Sequence, residues 1–168
     1  MKEFQDTIFI SEILLQSKIA LRAFERLHAT HENFDRLEVW CSIQSILVST
    51  GNISKILWSG KYRLRSKRLR EVLKVQTDNI LLDREFRNYF EHYDEKIEER
   101  FENGANGVYI DLAMNPSFRG DFGGNDNRGY NSFDNSLVFR GKRLDLNKVF
   151  GALIEIRNNC KRHVLDFP

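Results

Sequence analysis

An arginine, an asparagine and a histidine stand close together in FRNYFEHYDEKIEERF, residues 86–101. Arg87 offers a planar fork of donors that fits phosphate oxygens and keeps its charge at any working pH. Imidazole titrates near neutrality, so His92 suits proton transfer. Asn88 adds an amide that can hold a phosphate oxygen or orient the ring. Such groups could serve proton transfer and charge stabilisation at a phosphate, with His92 as acid/base, Arg87 holding developing charge and Asn88 positioning.

These residues sit in a segment that reads as one helix, from about residue 80 to 102. Phe86, Phe90, Tyr93, Ile97 and Phe101 fall on one stripe and predict its core face. Asn88 and His92 are four apart and share the opposite face. Arg87 and His92 are five apart, splayed by roughly 140°. Two copies packed across a two-fold axis would pool two arginines and two histidines in one cleft. A blander reading competes: Arg87 and Glu91 form a helical i, i+4 ion pair, and Arg-x-x-x-x-His arises often by chance.

Apolar spacing predicts helices over 6–29, 35–58 and 61–76 before this segment, with Gly51 and Asn52 a break or kink in the second. GVYIDL (107–112) and SLVFRGKRL (136–144) read as strands. The Gly-, Asn- and Asp-rich stretch 115–136 reads as a loop between them. A last helix follows Asp145, its expected N-cap, with Val149, Leu153, Ile156 and Cys160 on one side. The pattern predicts a helical bundle with a small β-hairpin inserted before its last helix.

Arg87-Asn88-Tyr89-Phe90-Glu91-His92, late in such a bundle and after NISKILW (52–58), resembles the HEPN superfamily. The resemblance covers about residues 6–102 and 145–165. It implies an all-α, HEPN-like single domain over 1–168, with a hairpin and Gly-rich loop inserted at about 107–144. It also implies a homodimer acting on RNA as a metal-independent endoribonuclease, of the kind found in toxin–antitoxin and defence systems, with an inhibitory antitoxin as a partner. On this pattern Arg87 and His92 match the defining pair and Asn88 its polar companion, and no cofactor is implied. One toxin branch carries a Tyr two residues after the His; Asp94 stands there in this chain. Other HEPN proteins are non-catalytic RNA-binding or protein-interaction modules, which is the alternative reading.

Charge distribution bears on both. The net charge of +2 over 168 residues implies no nucleic-acid partner by itself. Residues 83–102 hold eight acidic and four basic side chains, which repel a polyanion. KYRLRSKRLREVLK (61–74) holds seven Lys or Arg against Glu71. Arg63, Arg65, Lys67, Arg68 and Arg70 are therefore the expected RNA-binding residues, through salt-dependent phosphate contacts. Equally, they are a solvated face that pairs with acidic neighbours. Arg119, Arg128, Phe118, Phe122 and Tyr130, in the loop region, are further groups that could meet RNA.

Other chemistry is weaker. His28 and His31 lie three apart but lack a third ligand, so no metal site is expected. Cys41 and Cys160 read as two buried thiols in a reducing compartment. The longest apolar runs are too short to span a bilayer and the first residues do not form a secretory signal, so a cytoplasmic location is expected.

Overall fold

A computed structural model describes residues 2–104, 109–119 and 127–165. The chain divides into two compact units, residues 1–84 with 148–168, and residues 85–147.

The first unit is helical. α1 (Lys2–Ala29) packs on α2 (Arg36–Leu57) across the short connection 30–35. Asp35 starts α2, its carboxylate accepting from the Leu37 and Glu38 backbone N–H groups at 2.9 and 3.1 Å. Helical spacing on α1 buries Ile10, Ile13, Leu14, Leu21, Phe24 and Leu27. On α2 it buries Val39, Trp40, Ile43, Ile46, Leu47, Ile53 and Leu57. Each such side chain contributes about 1.5–3 kcal/mol relative to exposure. Gly51 neither breaks nor ends α2, and is itself buried. α3 (Arg63–Val72) and a 3-10 turn (Ile80–Leu82) follow. α6 (Leu146–Cys160) buries Val149, Leu153, Ile156 and Cys160, as its spacing predicts. Asp145 caps it, accepting from Asn147 N at 2.9 Å. Phe150 meets Phe24 edge-on at 5.2 Å, and Asn159 donates to Leu73 O at 2.9 Å. Cys160 is buried, which pushes its thiol up to about 12, but Cys41 is exposed, contrary to its expected burial.

The second unit overturns the expected all-α class and its small inserted hairpin. α4 (Glu85–Glu91) and α5 (Tyr93–Glu102) are accompanied by a four-stranded mixed sheet: β1 (Ala113–Met114), β2 (Arg128–Asn131), β3 (Ser136–Phe139) and β4 (Lys142–Asp145), in that order. β1 runs parallel to β2, with Ala113 opposite Gly129 and Met114 opposite Tyr130. β2, β3 and β4 are antiparallel neighbours. The predicted strand 136–144 is therefore itself a hairpin. Its turn is Arg140-Gly141, with φ of 45° and 81°, the left-handed pair that matches strand twist in a two-residue connection. Of the predicted strand 107–112, residues 109–112 are not strand and 107–108 lie outside the described residues. β2 was hidden in the Gly- and Asn-rich stretch because tertiary contacts, not β-branched side chains, hold it. Tyr130 and Leu137 face each other across β2 and β3, both buried. Asn131 and Ser136, at the next register, satisfy one another at 3.3 Å while fully buried.

Gly129 on β2 sits where a Cβ would lie 2.6 Å from Pro116 Cγ. A proline ring cannot swing aside, so the strand or its neighbour must shift. Gly129→Ala is expected to destabilise this unit by about 1–3 kcal/mol, read as a lowered midpoint in thermal unfolding. Gly60→Ala, with nothing within 4 Å of the new methyl, is the control and leaves the midpoint nearly unchanged.

Candidate functional site

The predicted helix 80–102 is three pieces: the 3-10 turn, α4 and α5. The last break falls on His92, whose φ of −105° and ψ of 43° lie outside the helical range. No Gly or Pro stands there to cause it. The hydrogen-bond ladder still passes through the kink, with His92 N donating to Asn88 O at 2.9 Å and Lys96 N to His92 O at 3.2 Å. Side chains on either side of the kink are held by the sheet. Tyr89 stacks on Phe139 of β3 at 4.0 Å, and Tyr93 stacks under the Arg128 guanidinium of β2 at 3.6 Å. Two anchors from different strands fix two short helices at an angle that one continuous helix does not offer.

The kink positions the three residues unequally. Arg87 and Asn88 are joined, Arg87 Nη1 donating to Asn88 Oδ1 at 3.3 Å. Arg87 also pairs with Glu91, and its side chain is only 14% exposed. His92 is half exposed, its Nδ1 3.5 Å from a Glu95 oxygen. Arg87 and Asn88 thus form one group on α4, while His92 heads α5 beside carboxylates. The expected core stripe is graded: Phe86 is buried, Phe90, Tyr93 and Ile97 are half-buried, and Phe101 is exposed.

The five predicted RNA-binding residues belong to the first unit and are largely engaged within it. Helix α2 ends with carbonyls that lack intrahelical partners, a partially negative terminus. Arg65 donates to Ile56 O at 3.2 Å, Arg70 donates to Leu57 O, and Arg63 donates to Gly60 O at 3.2 Å. Ser66 adds a bond to Ile56 O at 2.9 Å. Arg65 also lies over the rings of Phe9 and Tyr62, at 4.4 and 5.1 Å. Arg68 makes a bidentate pair with Asp6 of α1, at 2.5 and 2.7 Å, and holds that carboxyl below the usual range. Lys67 keeps an exposed head, with Glu71 at 3.9 Å. Basic residues dense in the sequence are therefore, in good part, the clamp at the end of α2.

A cluster missed by sequence reasoning lies behind Tyr93. The Asp111 carboxylate accepts from Arg128 Nε at 3.0 Å, Nη2 at 2.6 Å and backbone N at 3.2 Å. Both side chains are mostly buried, at 12% and 16% exposure for Arg128 and Asp111. Burial works against the carboxylate charge, but the Arg128 and Tyr93 bonds overcome it and hold Asp111 below the ordinary range. Burial first, then hydrogen bonding with Tyr109 and Asp111, pushes the Tyr93 phenol far up, so it stays neutral. Tyr93 and Tyr109 join through their hydroxyls. Arg128 and Asp111 are 17 residues apart in sequence, and no local pattern announces the pair. His28 and His31 meet edge-on at 5.3 Å, and among the described residues no three metal-ligating groups converge. Among them, too, no helix is long and apolar enough to cross a membrane.

No family model, curated protein or solved structure matches this chain.

The Asp111 linkage has a definite sign. Its folded value is depressed, so its stabilisation is complete above the unfolded aspartate value of about 3.9 and is lost as pH falls through the folded value. Asp111→Asn is expected to destabilise the protein by about 2–4 kcal/mol at neutral pH, because Arg128 is left buried without its counter-charge. The loss should shrink as pH falls below about 4, measured by denaturant midpoints across a pH series.

Proposed function

We propose that the chain cleaves RNA without a metal, with His92 as general acid/base, Arg87 steadying the phosphorane and Asn88 positioning Arg87. The observation that supports this reading is the kink itself. It presents a half-exposed imidazole, one α-helical turn beyond an Asn that is hydrogen-bonded to an arginine. In this reading two copies contribute an Arg87–His92 set each, and the resemblance to HEPN ribonucleases points the same way. Glu91 holds Arg87 in the free protein, so substrate phosphate must displace a carboxylate from the guanidinium, a swap of one anion for another.

That same ion pair favours a second reading, a non-catalytic RNA-binding module in which Arg87 is a structural ion-pair partner. Cleavage of a labelled single-stranded RNA in excess chelator separates the two. The nuclease reading expects product ending in a cyclic phosphate, and His92→Ala lowering the rate about 10²–10⁴-fold. Glu91→Gln is expected to raise the rate severalfold by releasing Arg87. If the native protein and Glu91→Gln both leave RNA intact, the non-catalytic reading stands instead.

A further inference from the structure

Helix α1 is apolar on two sides. Its core side holds Ile10, Ile13, Leu14, Leu21, Phe24 and Leu27. Phe4, Ile8, Leu15 and Ile19 are 41 to 72% exposed. At about 100° per residue these four fall within roughly 60° of one another, on the side away from that core. Apolar residues all round mark a helix that is covered all round. Leu15 also lines a groove of about 590 Å³ with Val164 and the exposed Leu165, which widens the apolar surface at the middle of the helix.

The outward stripe is symmetric end for end. Phe4 and Ile19 are equidistant from the midpoint between Ser11 and Glu12, and so are Ile8 and Leu15. Reversed about that midpoint, the apolar pattern falls on itself. Ser11, exposed at the centre, has a small side chain that lets two backbones approach. Charge follows the same symmetry with opposite sign. Residues 2–15 hold three acidic side chains and one basic; residues 16–29 hold three Lys or Arg and one Glu. Asp6 and Arg26 are taken by Arg68 and Glu38 within the chain. Arg22 meets Glu25 at 3.2 Å, an exposed pair that contributes little and leaves its guanidinium open to a second carboxylate.

We propose that α1 packs antiparallel on α1 of a second copy of this chain, across a two-fold axis beside Ser11. Phe4 then meets Ile19 of the second copy, and Ile8 meets its Leu15, each contact made twice as a two-fold interface requires. Glu3 comes level with a point between Lys18 and Arg22 of the second copy. The acidic half of each helix lies along the basic half of the other, and the two helix dipoles oppose favourably. An unrelated protein partner imposes no end-for-end symmetry on this face. A lipid surface does not require it either, and an anionic one disfavours three acidic residues in one half. The pairing does not depend on the RNA reading.

Sedimentation equilibrium of the full-length chain over a concentration series is expected to show a reversible monomer–dimer equilibrium. Ile8→Glu with Leu15→Glu should weaken the dimer by roughly tenfold or more. Helical content should stay unchanged, since both positions are exposed. Glu3→Lys and Arg22→Glu should each weaken it severalfold, and the two together should restore it. Register is read by diamide oxidation in a Cys41→Ser background. Ser11→Cys should yield a disulfide-linked dimer. Arg22→Cys should not, because antiparallel helices hold its two copies roughly 30 Å apart. These cysteine variants decide the matter even where the glutamate variant fails to fold. A chain that stays monomeric throughout, a dimer untouched by the folded glutamate variant, or Arg22→Cys cross-linking as readily as Ser11→Cys overturns the proposal. So does a monomer that takes up anionic vesicles through this face. A dimer that leaves RNA intact sinks the nuclease reading alone, and cleavage by a chain that never dimerises sinks this pairing alone.

Discussion

A guanidinium taken out of water must be matched donor for donor, and Arg128 is matched on several sides. Asp111 takes two of its side-chain donors and its backbone N–H, while Tyr93 and Phe90 cover its face at 3.6 and 5.2 Å. An ion pair of this kind adds little net stability over a well-packed apolar pair, but losing one partner is expensive. Its effect is to fix geometry. It ties β2 to the segment before β1 and pins the first residue of α5. The kink at His92 lies between that pin and the Tyr89–Phe139 stack. The candidate reactive imidazole therefore takes its place from contacts made by its neighbours rather than from its own.

The most basic stretch in the chain is also engaged within the helical unit. Seven cations in fourteen residues look like an electrostatic footprint for a polyanion. Two of the arginines, Arg65 and Arg70, close the carbonyl end of α2, a third bonds Gly60 O just beyond it, and a fourth neutralises Asp6. Positive charge facing a helix C-terminus is what the helix dipole asks for. The second unit holds the complementary case. Phe118 and Phe133, which looked like loop filler, are held by hydrogen bonds to the Asn115 and Asn131 side chains and stack on each other.

Legibility in the sequence followed the range of the interactions. α1, α2 and α6 were readable because their apolar period is local, and Asp145, the expected cap, acts on an N–H group two residues away. β2 was not readable, since RGYN has no strand signature and is held by pairing with β1 and β3. The break at His92 was invisible because its causes lie on β2 and β3. Arg87, Asn88 and His92 could be named from their types and spacing. That Glu91 holds Arg87 was foreseeable as an i, i+4 pair; that Tyr93 would sit under Arg128 was not.

α6 follows the second unit in the chain yet completes the core of the first. During synthesis α1 and α2 can pair as soon as they emerge, because their contacts are local and loop closure is cheap. Val149, Leu153 and Ile156 emerge only after the whole sheet-bearing segment. Until then the hairpin of α1 and α2 has an open apolar seam, and Phe24 lacks its edge-on partner Phe150. The order of emergence leaves that seam uncovered for the time it takes to translate residues 85–147.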